Sequence, residues 1–303
     1  MPKGSSLLIV GHLDCVENGL FAEFSSAGFE VTSSARAGLD VLDRPQVEAF
    51  FAKQRPEYVV LASVRSGGIG VNQALPAEMI FENIQAQANI IDVAFHCGVK
   101  KLLFLAASCI YPKDCPQPMA EAHFLTGRME PTSEPYSMAK AAGVIMCQAY
   151  RKQHGFPAIV GVPATVYGPG GAEDPKDAHV LGSMTARFRE AIKAGAPEVS
   201  FWGTGAPRRE FIYSGDFAEA CRFLLENYDR PEMVNIGSGS DISIQDLASL
   251  IADVYGYEGR IVWDTAKPDG ALRKLLDISR LSALGWKPGV TLREGVTICA
   301  RSS

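Results

Sequence analysis

The chain has no surplus of basic residues. With 29 Lys and Arg against 34 Asp and Glu in 303 residues, its net charge is -5, so it carries no excess to neutralise a nucleic-acid backbone. Long hydrophobic runs are missing too. The first apolar stretch, Leu7-Leu8-Ile9-Val10, is too short for a secretory core or a membrane span, which predicts a cytoplasmic protein with no membrane partner. Its seven cysteines are odd in number and show no CxxC spacing, excluding a disulfide frame and a zinc site and implying reduced thiols. Repeats and low-complexity tracts are also lacking.

What the chain does have is a series of short apolar runs separated by amphipathic stretches. Leu7-Leu8-Ile9-Val10, Tyr58-Val59-Val60-Leu61, Leu102-Leu103-Phe104-Leu105 and Ala158-Ile159-Val160-Gly161-Val162 read as strands covered on both faces, as in a parallel sheet. Helical patterns over Ala77 to Cys97 and Tyr136 to His154 lie between them and predict a doubly wound α/β fold. After Pro163 the texture changes. Gly168-Pro169-Gly170-Gly171 marks a loop, the helical run Val180 to Ala194 follows, and the strand-like segments become shorter. We read residues 1–164 as a Rossmann-like domain and 165–303 mainly as a smaller substrate lobe, parts of which return to the first domain. The cleft between them is the expected site.

The first strand-to-helix turn, Gly11-His12-Leu13-Asp14-Cys15-Val16-Glu17, lacks two of the glycines of a phosphate loop. Those glycines permit a tight turn, a close approach of backbone to pyrophosphate and close helix packing. Only Gly11 remains. Asp14 and Glu17 put carboxylates where phosphate would approach, and both suit the helix N-terminus as caps. Arg36, past the second strand, is the residue placed to pair with a 2'-phosphate, or else a solvated surface charge. NADP(H) is therefore an open cofactor, with Gly11 and Arg36 as its candidate contacts.

Tyr136 and Lys140 lie one helical turn apart and can reach one pocket. Cys109 follows an apolar strand at the edge where open α/β sheets place ligands, as a base or as packing. His179 precedes a helical run, as a cap or as an acid facing the cleft. Several blocks then follow in a telling order: Leu105-Ala106-Ala107-Ser108-Cys109-Ile110-Tyr111-Pro112, Glu134-Pro135-Tyr136-Ser137-Met138-Ala139-Lys140, Tyr167-Gly168-Pro169, His179-Val180, Arg208-Arg209-Glu210-Phe211 and Lys267-Pro268-Asp269-Gly270.

In that order they resemble the GDP-L-fucose synthases, extended short-chain dehydrogenases that epimerise C3 and C5 of GDP-4-keto-6-deoxymannose and reduce C4 with NADPH. The resemblance is strong from Gly67 to Trp286 and weak over the first 60 residues. It implies Cys109 and His179 as base and acid of epimerisation, Tyr136 and Lys140 as the pair polarising the C4 oxygen, and a homodimer through the Ala77 to Cys97 helix. It also implies Arg187, Trp202, Arg209, Asp269 and Lys274 around GDP, with Ser108 beside them. The family's catalytic Ser aligns with Ala107, and Ser108, if the strand is regular there, points to the other face. Both departures fall on reduction. The expectation is thus an epimerase acting at C3 or C5 of a GDP-4-keto-6-deoxy sugar of the mannose or heptose type, without reduction. The alternatives are a full NADPH-dependent epimerase-reductase and a noncatalytic GDP-sugar-binding partner of a true synthase.

Overall fold

The computed structural model describes residues 1–171, 180–267 and 269–302. Strands and helices alternate through β1 (Ser6–Val10), α1 (Cys15–Ser26), β2 (Glu30–Ser33), α2 (Arg44–Gln54), β3 (Tyr58–Leu61), α3 (Ile69–Ala74), α4 (Pro76–His96), β4 (Lys101–Leu105), α5 (Glu134–His154) and β5 (Ala158–Pro163). There follow β6 (Thr165–Tyr167), α6 (Val180–Ala194), β7 (Glu198–Trp202), β8 (Arg208–Tyr213), α7 (Ser214–Asn227), β9 (Val234–Ile236), β10 (Asp241–Ser243), α8 (Ile244–Tyr255), β11 (Arg260–Asp264) and β12 (Arg273–Lys274).

The main sheet has six strands in the order β2-β1-β3-β4-β5-β9, every pair parallel. Its order turns at β1, where β2 lies on one side and β3 on the other, so the loops after β1 and β3 open at one crevice. The apolar runs are buried as a doubly covered sheet requires: Leu7, Ile9, Val10, Val59, Val60, Leu102, Leu103 and Phe104 have no exposed surface. β9 comes from late in the chain and pairs with β5 through Gly161 and Val234.

Two further small sheets form the second, smaller domain. β8 runs beside β6, β10 and β12, and β7 pairs in parallel with β11. They bury a separate core of Phe188, Phe201, Phe211, Leu247 and Ile251 beneath α6 and α8. The chain after residue 164 therefore feeds both cores, since Ile212, Phe217, Leu224 and Val234 belong to the first.

Helix α5 sits unusually deep on β4. A Cβ on Gly143 would lie 2.3 Å from Phe104 Cζ and 2.8 Å from Gln87 Oε1, so this approach requires glycine. One turn earlier the same face carries Lys140, which is thereby pressed onto the Phe104 ring. Gly155, in the left-handed region at φ 67°, ends the helix.

Candidate active site

The loop between β1 and α1 is closed by its own side chains. Asp14 is the N-cap of α1, and its Oδ1 accepts from the amides of Val16 at 2.8 Å and Glu17 at 3.0 Å. Its Oδ2 lies 3.0 Å from His12 Nε2, while His12 Nδ1 donates to the Ser63 carbonyl at 2.9 Å. Burial opposes the imidazolium, but the Asp14 hydrogen bond and charge and the Ser63 carbonyl outweigh it, raising the His12 pKa. Burial works against the Asp14 carboxylate as well, yet His12 and the two amides hold it below its ordinary value.

The capping expected of Asp14 is what the structure shows, whereas Glu17 does something else. It is 2 % exposed and receives Arg36 through two hydrogen bonds, Nε to Oε1 at 2.9 Å and Nη2 to Oε2 at 3.0 Å. Arg36 also donates to Asn18 Oδ1 at 2.8 Å and lies over the Phe21 ring. The residue expected either to meet a 2'-phosphate or to be a solvated charge is paired here with the loop's second carboxylate, its side chain 43% exposed. Gly11 keeps its place under a tight turn, where an added Cβ would stand 3.3 Å from that of Ala62.

Past the sheet edge, β4 ends at Leu105 and Ser108–Ile110 form a single 3-10 turn. The alternation argument for Ser108 therefore does not apply, because the backbone is no longer a strand there. Cys109 lies in that turn, partly buried, and its side chain is hydrogen-bonded to Ser137. Burial pushes the thiol above its usual pKa, while Ser137 and the charges of Lys274 and Lys140 pull the other way. Tyr136, half-buried, has its hydroxyl 2.8 Å from Ser63 Oγ. Lys140 is 1 % exposed, with Nζ 4.6 Å from the Phe104 ring centre, and burial lowers its pKa to about 7. Cys109 thus lies close enough to both Tyr136 and Lys140 for their charges to act on one another through it. His179 lies outside the described residues.

The smaller domain carries the remaining candidates, and Lys274 among them lies near Cys109. Lys274 on β12 is the register partner of Arg209 on β8. The Lys274 charge acts on Cys109, so this basic strand pair lies within electrostatic reach of the thiol. Arg209 is held by the carbonyls of Arg208 at 2.8 Å and Ala271 at 2.7 Å. Asp269, expected to accept from a ribose, is engaged by Thr204 through its amide at 2.9 Å and its hydroxyl at 2.7 Å. Arg187 donates to the Ser200 carbonyl at 3.1 Å, and two residues on, Trp202 is 68 % exposed with Lys267 near its ring.

Sequence reasoning missed Ser63, His12, Ser137 and Glu210. Ser63 follows the apolar run of β3 at the carboxyl edge, so its position was a readable signal. Glu210, 3 % exposed, accepts from the amides of Gly239 at 2.7 Å and Leu276 at 2.8 Å, joining β8 to the segment after β12; burial lifts its pKa to about 7. Nothing in its spacing distinguished it from a solvated glutamate.

Among the described residues there is no group of acidic, His and Cys side chains able to hold a metal, and no helix long and apolar enough to cross a membrane.

Residues 8–237 match the model of the NAD dependent epimerase/dehydratase family. The chain is 48% identical to a probable GDP-L-fucose synthase 1 of Oryza sativa subsp. japonica over 296 residues, covering 97% of this chain and 90% of that one. It is 40% identical to the GDP-L-fucose synthase of Escherichia coli K12, covering 96% and 94% of the two chains. A GDP-mannoheptose C4 reductase from Campylobacter jejuni, solved with NADP bound, superposes with a TM-score of 0.90 at 30% identity over 99% of this chain and 98% of that one. The chain therefore belongs to the NAD dependent epimerase/dehydratase family and, within it, to the GDP-L-fucose synthases.

Proposed function

We propose that the protein acts on a GDP-linked 4-keto-6-deoxy sugar, enolising it at the C4 ketone to epimerise C3, C5 or both, without reducing it. One observation supports this reading: Cys109, in the turn after β4, lies within electrostatic reach of Tyr136 and Lys140 on α5 and of Lys274, the register partner of Arg209. A 4-keto group acidifies the hydrogens at C3 and C5. Cys109 takes one, Tyr136 donates to the oxygen on which charge develops, and His179, as the resemblance implies, returns a proton. Lys274 and Lys140 favour the Cys109 thiolate against its burial. Arg209 and Lys274 clamp the diphosphate, and Arg187, Trp202 and Asp269 complete the nucleotide end.

The reading without reduction rests on the loop. A dinucleotide's pyrophosphate is met by free amides at a helix N-terminus. Asp14 takes those of Val16 and Glu17, and Glu17 takes Arg36. The residues present do not fit that cofactor. The second reading, a full epimerase-reductase, is favoured by the names of the relatives and by the NADP in the Campylobacter jejuni structure. We also place a homodimer face on α4 and α5, where Phe81, Ile84, Met138 and Ile145 are exposed.

The deciding experiment uses a GDP-4-keto-6-deoxymannose substrate in deuterated water. Without nicotinamide, deuterium is expected at C3, C5 or both, and Cys109→Ser should suppress it. Appearance of a 4-hydroxy sugar on adding NADPH, with a low-micromolar Kd, would establish the second reading; no reaction of either kind would leave a binding protein.

A further inference from the structure

Ser63 is the residue against which the Tyr136 hydroxyl rests, at 2.8 Å, and it comes from β3's loop, not from the turn after β4. Its backbone is fastened from the other side. The Ser63 carbonyl accepts from His12 Nδ1 at 2.9 Å, His12 Nε2 meets Asp14 at 3.0 Å, and Asp14 caps α1 through two amides. The Ser66 hydroxyl oxygen lies 3.3 Å from that same Nε2. The residues that crowd the phosphate loop thus hold a hydroxyl in register with the pocket's tyrosine.

We propose that Ser63 is the positioning residue for Tyr136, supplying the hydroxyl that Ala107 lacks, and that the His12 and Asp14 pair fixes Ser63 in place. Tyr136 has one proton to give. When it donates that proton's hydrogen bond to the substrate oxygen, its own oxygen becomes an acceptor, and the Ser63 hydroxyl is at the right distance to donate to it. A Tyr so held loses less freedom on engaging the ketone and is stabilised as charge builds on its oxygen. Burial raises the Tyr136 pKa and the Ser63 bond lowers it, the same direction of help.

The catalytic side of this inference rests on the function proposed above, so the test has an arm that does not. With ζ-13C-tyrosine label, the Tyr136 resonance, assigned by its loss in Tyr136→Phe, is expected to move in Ser63→Ala and to return toward its original position in Ser63→Thr. An unmoved resonance would overturn the contact. In the exchange assay, Ser63→Ala should lower kcat by roughly 10- to 100-fold with KM little changed, and Ser63→Thr should recover part of it. Ser63→Ala in a Tyr136→Phe background should add no further loss, because the two act as a unit. Equal and additive losses would reduce Ser63 to a structural residue and overturn the proposal. A wild type inert in exchange but with the resonance shift intact would count against the function and not against the Ser63 contact.

Discussion

Lys140 is buried with its ammonium nitrogen 4.6 Å from the centre of the Phe104 ring. The ring's negative face favours the cation, but burial outweighs it, and the pKa falls from 10.5 to about 7. A base with a depressed folded pKa binds fewer protons folded than unfolded between those two values. The stability it contributes is complete above the unfolded pKa and is lost as pH falls toward 7. Lys140→Met should therefore melt higher than the wild type at pH near 6.5, by at least about 2 °C, and the difference should shrink by pH 10. Scanning calorimetry at the two values checks it; a pH-independent difference would contradict the buried-cation account.

The Glu17 and Arg36 pair gives a second expectation. Arg36→Ala strands a carboxylate that is 2 % exposed and should cost about 1–2 kcal/mol in urea unfolding, discounted because Arg36 itself is half in water. Adding Glu17→Met should restore most of that loss, since an apolar side chain needs no partner. A double variant no more stable than Arg36→Ala would show that the pair is not what Glu17 requires.

Cofactor affinity should follow the loop's carboxylates. In Asp14→Gly with Glu17→Gly, amides are freed and Arg36 is released, so NADPH should bind at least roughly tenfold more tightly than to the wild type, a gain of about 1.4 kcal/mol. Titration calorimetry at modest salt measures both proteins. Tight binding by the wild type would refute the misfit directly.

GDP should stabilise the protein through Arg209 and Lys274. At 100 times its Kd a ligand adds about 2.7 kcal/mol, seen as a rise in Tm. Arg209→Ala should weaken GDP by about 1.5–3 kcal/mol, the worth of a charged hydrogen bond. A larger rise with UDP than with GDP would refute the nucleotide assignment.

Packing of α5 supplies the last test. Gly143→Ala puts a methyl 2.3 Å from Phe104 Cζ, and overpacking of this kind costs about 1–3 kcal/mol. Because Lys140 rides on the same helix face, the variant should slow exchange as well as lower Tm; an unchanged Tm would mean that the helix moves freely on the sheet.

Much of this was legible beforehand, for identifiable reasons. Tyr58–Leu61 appears with the limits its pattern predicted and the Val180 to Ala194 run is helical to Ala194, since runs covered on both faces and strongly amphipathic helices leave little ambiguity. Composition cannot say which sheet a short strand joins, and β9 is chosen by pairing with Gly161, far away in sequence. At the site, Tyr136, Lys140 and Cys109 were readable because they sit on or beside periodic elements. Ser63 and His12 were not, because their roles arise where two loops meet across the crevice. Glu17 was read as a cap because its partner, Arg36, lies nineteen positions on in another loop.

The clasp between Glu17 and Arg36 is independent of the one Asp14 makes. Removing Glu17 alone frees a guanidinium but leaves Asp14 on the helix amides; removing Asp14 alone unfastens His12 while Glu17 still occupies Arg36. Each carboxylate is thus fastened to its own partners, and neither removal alone frees both the helix amides and Arg36. Opening this turn to an anion therefore takes two substitutions acting together, one on each clasp.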